Sequence, residues 1–141
     1  MATTYSFVFN TFKDHIYQEY QLDGVDNGFK IVLVNSSFVD SLVLEDNKKL
    51  LVYNDLVAEA YIISNTEIDV GPTYVENNGN GKILKAYRDA NWLMSTIDSA
   101  YGAVVYDSLE MLVCYIDFFG PKSTQNGTFS VPLTKGIIQT P

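Results

Sequence analysis

The chain has 141 residues, 17 acidic and 9 basic, with a formal net charge of −8; it is 47% hydrophobic and only 18% charged. A single domain of that length buries roughly 68–70% of its unfolded surface and needs no disulfide or metal to hold a core, and so apolar a composition excludes intrinsic disorder. The acidic field repels phosphate backbones and anionic membranes, while one cysteine, Cys114, and one histidine, His15, exclude an internal disulfide and most transition-metal sites.

In chain order, Phe9, Phe12, Ile16 and Tyr20 fall three and four residues apart, which predicts a short amphipathic helix over 10–21. Asn10 or Thr11 caps its start and Gly24 ends it. The Asn27-Gly28 dipeptide then leads into Phe29-Lys30-Ile31-Val32-Leu33-Val34, a strand whose continuous apolar half predicts burial on both faces. Leu50, Tyr53, Val57, Ala60 and Tyr61 have helical spacing, so a helix is expected over 48–60, although Leu42-Val43-Leu44 and Tyr61-Ile62-Ile63 also read as short strands. Residues 64–81 are loop-like, with one short strand at Thr73-Tyr74-Val75, and another strand begins at Ile83-Leu84-Lys85-Ala86-Tyr87.

Three further strands are expected at 103–106, 111–118 and 128–133. The first two are joined at Asp107-Ser108-Leu109-Glu110 as an antiparallel hairpin, and the last is an edge or ends at Pro132, which has no N–H to donate. Ten tyrosines, eight phenylalanines and the turn dipeptides Asn78-Gly79, Asn80-Gly81 and Asn126-Gly127 agree with many short strands. No repeat or linker divides the chain. The fold expected is mainly β: one antiparallel β-sandwich, jelly-roll-like, over 1–141, with a short N-terminal helix and residues 1–9 as an extended arm.

Candidate chemistry is sparse. His15 lies on a helix flank between Asp14 and Glu19 and outside any motif, so it reads as a surface or packing residue, and no Gly-x-Ser-x-Gly elbow accompanies it. Cys114 lies in an apolar strand pattern with no local activator, which suits a buried thiol. Asp23, Asp26 and Asn27 depart from the EF-hand register, and Glu67, Asp69 and Glu76 suggest at most a weak surface cation. Asn77-Asn78-Gly79-Asn80-Gly81-Lys82 lacks the phosphate-loop spacing. Trp92, beside Asp89, Asn91 and Ser95, reads either as a sugar-stacking platform or, preferably, as a core anchor whose indole N–H finds a partner. No catalytic residue, cofactor or metal site is expected. Met1-Ala2-Thr3-Thr4 lacks the basic start of a secretory signal, and no apolar run reaches the roughly 18 residues that span a bilayer. Without such a signal, the acceptor patterns at Asn35-Ser36-Ser37 and Asn126-Gly127-Thr128 read as chance.

The C-terminal half carries a more specific pattern: Ala90-Asn91-Trp92-Leu93-Met94-Ser95-Thr96-Ile97, then Ala100-Tyr101-Gly102-Ala103-Val104-Val105-Tyr106, then residues 115–129 from Tyr115-Ile116-Asp117-Phe118-Phe119-Gly120 to Asn126-Gly127-Thr128-Phe129. It resembles a family of small virion structural proteins of tailed bacteriophages. In that family a Trp precedes a Ser/Thr-rich strand, and an Ala-Val-x-Tyr strand, an Ile-Asp-Phe-Gly-Gly segment, a Lys and an Asn-Gly hairpin follow. The resemblance covers residues 86–138 and, more loosely, 5–35, where Thr11-Phe12-Lys13 and Ile31-Val32-Leu33-Val34 have counterparts; it does not extend over 36–85. Phe119 stands where the family has a glycine.

This resemblance implies a virion protein assembled in the host cytoplasm, where a lone cysteine stays reduced. The first expectation is a capsid decoration or cement protein that binds the major capsid protein, bridges shell subunits and self-associates, with no nucleic-acid or membrane partner. Tyr5, Phe7 and Phe9 of the arm are the expected interface, adding a strand to a partner sheet. A neck or tail adaptor or fibre-anchoring protein is the second expectation. A host-glycan-binding module using Trp92 is the third.

Overall fold

The run Ile31-Val32-Leu33-Val34 is completely buried, and its side chains alternate between two separate cores. Ile31 and Leu33 join one core and Val32 and Val34 the other, because successive strand residues point to opposite faces. The computed structural model describes residues 7–8, 28–41, 52–78, 81–134 and 136–139. The helix expected over 10–21 and residues 48–51 of the second expected helix lie outside them.

The described elements are β1 (Phe7–Val8), β2 (Lys30–Val34), α1 (Ser36–Ser41), α2 (Tyr53–Ala58), β3 (Ile68–Asp69), β4 (Thr73–Asn78), β5 (Gly81–Ala86), β6 (Ala90–Tyr106), β7 (Leu112–Val131) and β8 (Ile138–Gln139). The chain is mainly β, as expected. One antiparallel sheet has the order β1-β7-β6-β2-β3 and a smaller one the order β4-β5-β8.

One face of the larger sheet packs against the smaller sheet. Ile31, Leu33, Ala103, Val105, Cys114 and Ile116 meet Leu84, Ala86, Leu133 and Ile137 there. The other face is covered by the two helices, with Phe38 and Leu56 set onto Val32, Val34, Val104, Tyr106, Leu112 and Tyr115. Each fully buried Leu, Ile or Phe stabilises by about 1.5–3 kcal/mol relative to exposure, so a sheet covered on both sides gathers most of the favourable burial.

Local chemistry sets the helices. The Asn35 side chain accepts the Phe38 N–H at 3.3 Å and donates to the Ala60 carbonyl at 2.8 Å, so one residue caps α1 and ties it to the end of α2. The Asp55 carboxylate accepts the Val52 N–H at 3.1 Å, and Ala60, at φ 57°, ends the second helix. Phe38 then sits edge-on to Tyr61, at 5.4 Å between ring centres, and 4.8 Å from Tyr115.

Strand lengths differ from expectation. The strand expected at 103–106 begins at Ala90. The segments expected as separate strands at 111–118 and 128–133 belong to one 20-residue strand, β7, which pairs with β6 from Leu112 to Val131. Asn126-Gly127 is therefore not a hairpin turn. Asn126, at φ 52°, is one of several irregularities that let the two long strands twist while staying paired. The true turn is the expected one: the buried Asp107 carboxylate accepts the Leu109 and Met111 N–H groups, both at 2.9 Å. β7 ends at Val131, next to Pro132.

Candidate interaction surface

The middle of the β6–β7 ribbon departs from regular strand geometry. Its register shifts four times between Trp92 and Gly102, and Met94, Ser99, Phe119 and Asn126 all adopt positive φ. A left-handed backbone costs a bulky L-residue about 1–2 kcal/mol, so the surrounding ladder must hold these positions. Two of them carry large apolar side chains into solvent: Met94 and Phe119 are each 85% exposed, and Leu93, next to Met94, is 70% exposed. The Asp117 carboxylate accepts the Phe119 N–H at 2.8 Å and props that turn. Beside it lies an open groove of about 380 Å³ whose apolar lining comes from Ile116, Phe118, Phe129, Val131 and Pro132. Phe118 and Phe129 form its aromatic wall, 5.8 Å apart between ring centres.

This ribbon is also an open edge. The described β1 pairs only with Cys114 and Tyr115, which leaves the outer side of β7 beyond Ile116 uncovered by any described strand. Gly120, at φ 132°, and Pro121 interrupt that edge, so it does not offer a continuous row of donors for strand addition.

A second, polar cluster lies at the turn end of the sheet. The Tyr106 hydroxyl donates to the Glu67 carboxylate, which also faces Lys30 Nζ at 3.5 Å, and the Tyr53 ring lies 4.6 Å from that of Tyr106. Burial, then the hydrogen bond to Glu67, pushes the Tyr106 hydroxyl well above the ordinary tyrosine range. Burial and the Glu67 charge raise Tyr53 in the same direction. Through the Tyr53–Tyr106 ring contact, the cluster joins the end of β6 to the start of α2.

The residues singled out by sequence are scattered. Trp92 is buried at 5% exposure; its indole N–H donates to the Thr66 carbonyl at 2.7 Å and its ring meets Phe129 edge-on at 5.7 Å. The stacking-platform reading of Trp92 is thereby corrected, since a side chain only 5% exposed offers no open ring face to a sugar. Cys114 is fully buried and burial raises its thiol far above the usual value. Glu76 pairs with Lys85 at 3.0 Å and Glu67 with Tyr106 and Lys30, so Glu67, Asp69 and Glu76 do not converge on a cation. Among the described residues no group of three or more His, Cys, Asp or Glu side chains is placed to hold a metal ion.

Of the expected interface, Tyr5 and Phe9 lie outside the described residues, as does His15. Phe7 does not belong to a free arm: the backbone of Phe7 and Val8 pairs with Tyr115 and Cys114 of the chain's own sheet. Leu93, Met94 and Phe119 were not legible as surface residues, because an apolar residue in a strand pattern reads as core. Phe119, at φ 58°, lies in the left-handed region that favours glycine.

No protein family, curated protein or solved structure matches the chain. No helix among the described residues is long and apolar enough to cross a membrane.

Proposed function

We propose that this chain is a structural protein of a tailed-phage particle, a decoration or cement protein that binds the outside of the shell and bridges neighbouring major capsid subunits. The observation that carries the reading is the β6–β7 ribbon. A doubly covered sheet anchors it, and its irregular middle holds Leu93 and Met94 out to solvent. Isolated exposed apolar residues are ordinary, but a bulky one held in a strained backbone conformation is not, and such a side chain suits a partner's pocket. A shell protein needs only this kind of contact. Each one is weak, and repetition over a symmetric lattice makes attachment firm.

The test is quantitative mass spectrometry of purified particles of the phage that encodes the chain. The expected result is a copy number of roughly one per major capsid subunit, or a simple fraction of it. About a dozen copies per particle would move the protein to the neck or tail. Its absence from particles would remove the virion reading.

A further inference from the structure

We infer that Asn126 is a site of spontaneous covalent modification: its side chain closes onto the Gly127 backbone to give a succinimide, which water opens to aspartate or isoaspartate, and the Thr96 hydroxyl promotes the closure. Asn126-Gly127 is a turn dipeptide that makes no turn. It lies inside β7 at a bulge, where Gln125 and Asn126 together face the single residue Thr96 of β6, and Asn126 is exposed at φ 52°. The fold does not require the glycine. Gly127 lies outside the left-handed region, and a methyl group there would meet nothing nearer than the Gln125 carbonyl at 3.8 Å. A glycine inside a strand weakens it and leaves the main chain open to close approach. The group beside it that can approach is the Asn126 side-chain amide.

The step needs no reagent but water. The Gly127 nitrogen attacks the side-chain amide carbon of Asn126 and gives its proton to solvent. A carbon–nitrogen bond forms, and the bond to the side-chain nitrogen breaks as ammonia leaves. Water then adds to one of the two ring carbonyls. Opening one way leaves aspartate; opening the other way runs the main chain through the former side chain, as isoaspartate. Negative charge develops on Asn126 Oδ1 during the attack, and Thr96 is placed to meet it. The Asn126 N–H donates to Thr96 Oγ1 at 3.2 Å, which occupies a lone pair of that oxygen, and the Thr96 hydroxyl donates to Asn126 Oδ1 at 3.4 Å. A donor aimed where charge develops favours the transition state over the ground state. The contact is long at rest and shortens as the charge builds. Either product adds one negative charge to the −8 of the chain. Isoaspartate also lengthens the β7 main chain by one carbon next to the Ser95–Gly127 pair, close to Leu93 and Met94 on β6.

The inference concerns the free chain and does not depend on the virion role. It is tested by ageing the folded full chain in neutral and mildly alkaline buffer made with heavy-oxygen water, followed by peptide mass spectrometry and isoaspartate-specific methylation. Asn126 is expected to gain one heavy oxygen as it converts, and faster at the higher pH, because the attacking nitrogen must lose its proton. Asn78-Gly79 and Asn80-Gly81 serve as clocks within the same chain. Thr96 is exposed, so Thr96→Val is expected to fold and to leave those clocks unchanged. It is expected to slow conversion at Asn126 by about three- to tenfold, less than the ~10²–10³-fold effect of a buried oxyanion donor because water competes at the surface. Thr96→Ser keeps the hydroxyl and is expected to restore the rate. Gly127→Ala has room for its methyl group, so it is expected to fold and to suppress conversion at Asn126 alone. An Asn126 that stays intact in the folded chain over a period in which the same dipeptide converts in urea overturns the inference, as does a Gly127→Ala variant that converts as fast as the wild type. A Thr96→Val rate equal to or above that of the wild type also overturns it, since the hydroxyl then tethers the side chain rather than promoting its closure.

Discussion

The ring of Tyr115 lies directly over the Cα of Gly102 on the neighbouring strand: a methyl group at Gly102 would sit 2.5 Å from the Tyr115 hydroxyl oxygen and 2.6 Å from the Ile116 carbonyl oxygen. The same ring contacts Phe38 of the helical layer, so Gly102 is what allows sheet and helices to close on one tyrosine. Gly102→Ala must displace this ring or the backbone of β7. It is expected to destabilise by about 1–3 kcal/mol, as overpacking does, read as a lowered urea midpoint with an unchanged slope. A variant as stable as the wild type would show that the Tyr115 ring has room to move.

Met94 separates conformational strain from binding. Its φ is 49° and its side chain is 85% exposed, so nothing inside the fold needs the thioether. Met94→Asn is expected to hold or raise stability by up to about 1 kcal/mol, because Asn tolerates the left-handed region better. If the ribbon faces the shell, the same substitution lowers occupancy on particles, which densitometry of purified virions reads directly. Unchanged occupancy in a folded variant removes Met94 from the contact.

Alkaline pH should unfold the chain progressively. Tyr106, Tyr115 and Cys114 all have folded-state values raised by burial, with the Glu67 hydrogen bond adding to the shift at Tyr106 and the Asp117 charge to that at Tyr115. A raised value means that the native state retains the proton when the unfolded chain has lost it. The stabilisation is therefore complete below the unfolded values, about 8.5 for Cys and about 10 for Tyr, and is lost as pH rises above them. Each such group lowers stability by up to about 1.4 kcal/mol per pH unit in that range. Tyr106→Phe removes one of the three and is expected to flatten the decline measured by urea unfolding between about pH 9 and 11. An unaltered slope would mean that the Tyr106 hydroxyl is not protected in the native state.

Trp92 is the only tryptophan, and it reports its own environment. Enclosed by Phe129 and bonded to the Thr66 carbonyl, it is expected to emit at short wavelength in the native protein and to shift red on unfolding, with no response to added glycans. Trp92→Phe leaves the Thr66 carbonyl without its donor and is expected to cost about 1–3 kcal/mol. A red-shifted native emission would contradict the burial.

The β class and most strand positions were legible because they rest on local alternation. The run Ile31 to Val34 announced burial on both faces, and Asp107 announced its turn through side-chain chemistry acting within four residues. The candidate surface was not legible in the same way. Asn126-Gly127 carries the dipeptide of a tight turn, yet continuous pairing with β6 absorbs it as an irregularity in a longer strand. Trp92 had two readings in sequence, and only its distance to Thr66, 26 residues away in the chain, chose between them.

By itself the sequence determined that this is an acidic, mainly β chain with a buried thiol pattern and a hairpin at Asp107, since composition, period-two alternation and turn chemistry act over a few residues. Tertiary structure decided the rest. It set which face of β2 meets the second sheet and which meets the helices, and it turned Trp92 inward. It also left Leu93, Met94 and Phe119 outside. Those outcomes depend on the register between β6 and β7, and a one-residue shift there moves a side chain from core to solvent without any change in the local sequence pattern.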